Sequence, residues 1–464
     1  MYKIRGYISI NFEEYIKGFN NRLRKYIPDK KNWTPADEAV YSPKDYFKID
    51  KKQADKLRLN SIKYQFKNHY ENNKMYHGFC KEIKIKPEDI KNLEDLKKIP
   101  LIPGEFYKDY PDGKEFAHWL ANIFTGELPE INIPQKNPNF DDVINAFNKK
   151  NLAVAYSSGT SGRHTFIPRD MQTYNASEYA AAKAAISMLY PLYEYDMHGY
   201  LLMPNPFKTN VFAGKVTGVF FDAIKDVIPA IDRPINTEII KLSMGAGGGL
   251  KSKIAKKAIA KQYKKIVSNI IKWLELHDKK GSKIAFVGAP FILYEVTNKL
   301  IEIGKTFDFS DRGGIITGGG WKVHESKRMT VKNFRDQMKE VLGINDEHCL
   351  DLYGMVEGNG WMIHCPEGHY LHIPYTYYQP LVLDDEFKAL PYGEWGRFAF
   401  LDGSTSSYPG FIISGDKVRM LERCPVCDRP GPVLEPEVTR VKGKEMRGCA
   451  EEVRRMISTD VGGD

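Results

Sequence analysis

"YSSGTSGRH", residues 156–164, follows directly on the apolar run Leu152-Ala153-Val154-Ala155. A Ser, Thr and Gly cluster leaving a buried strand presents backbone N–H groups and hydroxyls where a phosphate can sit. The stretch is not the nucleotide-binding P-loop, which reads GxxxxGK[ST] and carries a Lys to the terminal phosphates. Here Arg163 and His164 follow the last glycine. The question is which ligand such a loop holds without that Lys.

Working outward, short apolar runs alternate with helical patterns. Strands are expected at 152–156, 199–204, 283–288, 314–318 and 396–402, and helices at 175–190 and 263–277. That alternation predicts an α/β sheet with glycine-rich turns at strand ends, where open α/β sheets bind ligands. The first 115 residues, rich in Lys, Asn and Tyr, read as a helical N-terminal region. They end in "LKKIPLIPGEFYKDYP" (96–111), where Pro100 and Pro103 interrupt any regular element. "MGAGGGLK" (244–251) reads as a connection.

With 464 residues and 42% hydrophobic side chains, the chain is long enough for a large core of about two to four structural units. The net charge of +9 is modest, and much of the excess sits in "KSKIAKKAIAKQYKK" (251–265), a basic helix face that reads as solvated surface or as a dock for an acidic partner protein or anionic membrane. No basic-aromatic pattern argues for nucleic acid. The N-terminus lacks a signal-like apolar stretch, and no window reaches the roughly 18 apolar residues of a membrane span. Six cysteines at this length do not make a disulfide scaffold. The expectation is a cytoplasmic enzyme.

Three further segments join the opening loop. "TGGGWK" (317–322) places Gly318, Gly319 and Gly320 after an apolar strand; "LYGMVEGNG" (352–360) sets Glu357 four residues after Tyr353; and "GFIISGDKVRM" (410–420) puts Asp416 after an apolar run and a glycine. Glycine loops plus isolated carboxylates, each read at a strand end, suit a nucleotide. Amides would hold phosphates, a flat pocket the base, one carboxylate Mg²⁺ and the other the ribose.

In this order the motifs resemble the adenylate-forming enzymes: "YSSGTSG" is similar to their phosphate loop, "YGMVE" to their YGxTE motif, "SGD" to their TGD motif. "IPLIPGEFYK" (99–108), "TGGGWK" and "RVKGKEMRGC" (440–449) narrow the resemblance to the LuxE-type acyl-protein synthetases, with phenylacetate-CoA ligases as the nearest branch. The resemblance implies an adenylate-forming core over 116–435, with a hinge and short stub over 436–464. It implies that ATP and Mg²⁺ activate a fatty or aromatic acid as acyl-AMP, and that a thiol then takes the acyl group for delivery to a reductase partner. It assigns Ser157, Ser158, Gly159, Thr160, Ser161 and Gly162 to the β- and γ-phosphates. It gives Gly318–Gly320, Tyr353 and Gly354 to the adenine, Glu357 to Mg²⁺, Asp416 to the ribose hydroxyls and Arg440 to ribose or phosphate.

Two departures stand out. Val356 replaces the usual Thr of YGxTE, so another donor must serve the α-phosphate, and Lys322 is the candidate. The C-terminal lid domain with its catalytic Lys has no counterpart in the stub, which instead contains Cys449, the expected acyl acceptor. A thiolate is a good acceptor when nearby cations lower its pKa, and Lys444 and Arg447 are close before it in sequence. An acyl- or aryl-CoA ligase, and a non-catalytic scaffold on the same fold, are the alternatives.

Finally, "HCPEGHYLH" (364–372) and "CPVC" (424–427) read as a structural zinc site, with Cys365, Cys424, Cys427 and either His369 or His372 as ligands.

Overall fold

The computed structural model describes residues 11–157, 163–235, 237 and 250–441, with backbone only for 250–260, 322, 323 and 325. The expected α/β architecture is present. Among the described residues a large sheet runs in the order β11-β12-β13-β14-β10-β9-β8-β7-β6-β4-β5, with β1 and β15 also paired to β13. Its parallel half consists of β5 (Asp226–Ile231), β4 (His198–Pro204), β6 (Ile284–Gly288), β7 (Gly313–Gly318) and β8 (Cys349–Tyr353). β6 is buried at every position, as a strand covered on both faces must be.

The rest of the sheet is mostly antiparallel. It contains β9 (Met362–His364), β10 (Leu371–His372), β11 (Tyr378–Leu383), β12 (Trp395–Asp402), β13 (Phe411–Leu421), β14 (Val433–Leu434) and β15 (Thr439–Arg440), while β1 (Ile102–Pro103) lies parallel to β13. Asp416 therefore lies inside an eleven-residue strand and not at a strand end: β15 pairs with it directly, and β12 pairs with β13 before and after it across an irregularity at Arg397–Ala399.

β2 (Leu152–Tyr156) forms as expected but outside the large sheet. It pairs antiparallel with β3 (Phe166–Asp170), and the loop of the opening motif joins the two. The Met171–Met188 helix starts at once, capped by the Asp170 carboxylate, which accepts from Thr173 N at 2.7 Å. It is buried on nearly every side, so its Ala-rich sequence lets it pass through the centre of the molecule against the sheet. Residues of the first helices, among them Tyr15, Phe19 and Phe66, share one core with this helix. On the other face, Ile266, Ile270, Trp273 and Leu274 of the Leu250–Lys280 helix pack against β4 and β6. No helix among the described residues is long and apolar enough to cross a membrane.

Candidate active site

A cavity of about 860 Å³ opens at the carboxyl ends of the parallel strands. Its walls bring together Ser157, Gly318–Gly320, Tyr353, Gly354, Glu357, Asp416 and Arg440, all expected at the nucleotide and far apart in sequence. Gly319 and Gly320 take φ of 78° and 65°, left-handed values that let the backbone turn back after β7. At Gly354 a Cβ would meet the Trp361 ring at 2.5 Å, so only glycine fits between that ring and the cavity.

At one end of the cavity, Tyr353 Oη donates to Asp416 Oδ2 at 2.5 Å, and Arg440 Nε lies 3.1 Å from Oδ1. Asp416 and Arg440 are also direct partners in the β13–β15 ladder, so the backbone register sets this ion pair. Burial, and then the Asp416 charge, push the Tyr353 phenol far up, which keeps it a proton donor to the carboxylate.

Deeper in, Glu357 follows β8. Burial raises its pKa, while Lys108 and a hydrogen bond from Thr165 oppose the rise. A half-buried carboxylate lining the cavity is a suitable cation ligand. The turn carrying it is held from below: buried Arg169 donates through Nη2 to the Val356 carbonyl at 2.5 Å and to Tyr408 Oη at 2.9 Å, with its guanidinium stacked between Phe212 and Tyr408. At the mouth of the β2–β3 hairpin, Thr165 N donates to Ser157 Oγ at 2.9 Å and Ser157 N to the Thr165 carbonyl at 3.0 Å.

Ser158, Gly159, Thr160, Ser161, Gly162, Cys449, the connection at 244–249 and the side chain of Lys322 lie outside the described residues, as does the segment 442–464 on which the missing lid was inferred. The sequence reading missed Thr165, Arg169 and Lys108. Lys108 ends "IPGEFYK", a motif quoted for resemblance without a role, and it lines the cavity beside Ser157. Part of the apolar wall comes from Phe212, Val216 and Phe220.

On the far side of β9, Cys365, His372, Cys424 and Cys427 converge, with their ligand atoms all within 4.8 Å of one another. Cys365 and Cys424 sulfurs are 3.9 Å apart, and Cys427 Sγ is 3.3 Å from His372 Nε2. Zinc with Zn–S bonds of about 2.3 Å puts tetrahedral sulfurs about 3.8 Å apart, so the donor set fits that ion. His369 stands outside the cluster: its Nε2 is 2.9 Å from Asp346 Oδ2, because φ of +57° turns the chain and points the ring away from the thiols. Hydrogen bonds from Cys365 and His372 draw the Cys427 thiol well down, toward the thiolate a metal requires.

Residues 239–458 match the family described as acyl-protein synthetase, LuxE, a span that includes the Gly318–Gly320 turn, Glu357, Asp416, Arg440 and the thiol cluster. Over that span the chain is similar to the acyl-protein synthetases. Among similar proteins is the "Long-chain-fatty-acid--luciferin-component ligase" of Vibrio harveyi, 24% identical over 420 residues that cover 90% of this chain and 92% of that protein. The Aliivibrio fischeri protein of the same name is also 24% identical, over 89% of this chain and 91% of its own. Among solved structures, 2-hydroxyisobutyryl-CoA ligase in an open conformation superimposes with a TM-score of 0.59 and 15% identity, covering 91% of this chain and 78% of that one. That likeness establishes the adenylate-forming fold. The family match thus takes in 239–458, and the two similar ligases align over about nine-tenths of the chain.

Proposed function

We propose that this protein is an ATP-dependent acid–thiol ligase that activates a long-chain fatty acid as acyl-AMP and passes the acyl group to a protein cysteine. One observation carries the reading: a single cavity holds a glycine turn, a half-buried carboxylate, a tyrosine–aspartate–arginine cluster and an apolar wall. The names of the similar proteins supply the acid class.

In the first step an oxygen of the fatty carboxylate attacks the α-phosphorus of ATP. The bond to the bridging oxygen breaks and pyrophosphate leaves. Asp416, steadied by Tyr353 and Arg440, would hold the ribose hydroxyls; Gly318–Gly320 and Gly354 would pack on the base; and Ser157 with the loop 158–162 would take the departing phosphates. No P-loop Lys is required, since charge accumulates on a leaving pyrophosphate that dipoles and cations can meet. Glu357 would hold Mg²⁺, which when bound neutralises phosphate charge. In the second step a thiolate attacks the acyl carbonyl and AMP leaves, with Cys449 as the acceptor that hands the thioester to a reductase partner. Cys365, His372, Cys424 and Cys427 would hold a structural zinc that braces the sheet behind Glu357. We take the cytoplasm as the compartment.

Fatty-acid-dependent exchange between ATP and labelled pyrophosphate tests the first step, and hydroxylamine-labile acyl label on the protein tests the second. Exchange that persists in Cys449→Ala with label abolished is expected; unchanged label in that variant sinks the cysteine's role. The fold of 2-hydroxyisobutyryl-CoA ligase favours one other reading, a CoA ligase, which soluble acyl-CoA made only when CoA is added would establish.

A further inference from the structure

The Leu250–Lys280 helix carries its charge unevenly. Residues 250–265 hold seven lysines and no acid, whereas 266–280 hold three lysines against Glu275 and Asp278. Those two acids pair with Lys305 and Arg312. All the cations of the first half are lysines. Lys261, Lys264 and Lys265 are exposed, while Ile266 and Ile270 bury the opposite face against the sheet.

The direction of the helix decides where that charge stands. Its last residue, Lys280, leads through 281–283 into the amino end of β6. Earlier in the helix, the Tyr263 ring lies 6.0 Å from that of Phe291, in the Pro290–Glu302 helix that starts just past the carboxyl end of β6. The helix therefore runs back along the sheet toward the end where the cavity opens, and Pro290, beside this contact, lines the cavity. Leu250–Gln262 add about 20 Å of helix axis in the same direction. The most exposed large hydrophobic side chain among the described residues, Phe207 at 72%, stands at that end too. It follows β4, which is parallel to β6, and its ring meets Phe221 edge-on at 5.4 Å.

We propose that this rim is a docking face for an anionic lipid surface: the lysines of 251–265 meet the head groups, and Phe207 inserts between them. Charge complementarity selects the occupant. Lysine is depleted at protein–protein interfaces, which favour Arg, Tyr and Trp, whereas its flexible point charge suits a fluid layer of anionic head groups. An exposed Phe beside a basic stretch is the pairing that interfacial segments use. Seated this way, the cavity opens toward a bilayer, the phase in which a long-chain acid dissolves. The docking stands on charge and exposure; its use, loading the acid, rests on the acid-activation reading.

The test is co-sedimentation of the full-length protein with vesicles of phosphatidylcholine alone and of phosphatidylcholine mixed with phosphatidylglycerol. Binding to the mixed vesicles only is expected, and it is lost as salt rises from about 0.05 to 0.5 M. Lys261→Gln, Lys264→Gln and Lys265→Gln made together weaken that binding about a hundredfold, and Phe207→Ala weakens it about tenfold. These side chains are exposed, so the fold stands, and pyrophosphate exchange with a short, water-soluble acid keeps the wild-type rate in both variants. Equal binding to both vesicle types, no binding to either, or binding unchanged in the lysine variant overturns the lipid face. Lysine-dependent capture of polyglutamate in place of the vesicles overturns it in favour of an acidic protein. Absence of exchange with every carboxylate defeats the activation reading alone and leaves the vesicle result to decide the docking.

Discussion

Replacing Tyr353 by Phe removes one oxygen and leaves the ring that shapes the cavity wall. That oxygen donates to Asp416 Oδ2 at 2.5 Å, and the carboxylate it serves is only 10% exposed, so water cannot fully take its place. Hydrogen bonds to charged groups contribute about 1.5–3 kcal/mol. Arg440 remains 3.1 Å from the other oxygen and still neutralises the charge, which argues for the lower end of that range. A loss of about 1.5 kcal/mol in the orientation of Asp416 is about tenfold in binding. The expected result is a KM for ATP raised about tenfold in the exchange assay, with kcat within twofold, because the bond serves ground and transition states alike. Urea unfolding should show a comparable loss of stability. With 2′,3′-dideoxy-ATP, which lacks the hydroxyls Asp416 would hold, the difference between variant and wild type should shrink toward nothing. A Tyr353→Phe enzyme with unchanged KM for ATP, beside an Asp416→Ala enzyme with a raised one, would refute the claim that the phenol orients the carboxylate.

Three other outcomes are expected. Purified protein should contain one zinc per chain, and Cys424→Ser or Cys427→Ser should lose it; metal release should also follow falling pH as the ligands protonate, which a chromogenic chelator reads directly. Glu178 is buried, and that burial raises its pKa to about 8 from 4.5. The folded state thus holds a proton the unfolded state has lost, so stability is full below about pH 4.5 and falls by a few kcal/mol as pH rises to about 8. Glu178→Gln should flatten that slope in urea titrations at pH 5 and pH 8.5, and an unchanged slope would place its origin elsewhere. Arg169→Lys keeps a charge but not the fork that grips Val356 and Tyr408, so half-saturation by Mg²⁺ should rise about 10–100-fold while calorimetric ATP affinity changes less; equal effects on both would mean general damage to the cavity.

Much of the parallel half-sheet is legible in the sequence because strands such as 284–288 and 313–318 are continuous apolar runs bounded by polar or glycine residues. Pairing is less legible. Leu152–Tyr156 reads clearly as a strand, yet its partner Phe166–Asp170 contains a proline and a charged pair, and only tertiary burial makes it a strand. Asp416 reads as lying at a strand end because a glycine precedes it; the strands that extend β13 past that glycine come from 395–402 and 439–440. His369 and His372 both fit the spacing, His372 lines up better with related ligases, and the structure agrees, since His369 turns to Asp346 instead. Arg169 and Thr165 left no motif, since their roles consist of contacts with residues such as Val356 and Glu357 some 190 positions away.

The Tyr353–Asp416–Arg440 cluster has a consequence in acceptor capacity. An ionised carboxylate has about four lone-pair positions. Tyr353 occupies one on Oδ2 and Arg440 one on Oδ1, so one position on each oxygen is left over. Two acceptors side by side on one rigid group are what a vicinal diol can fill with both of its protons, and a lone hydroxyl cannot. On the proposed reading the cluster would work as a counting device that accepts a paired donor and holds a single one by half.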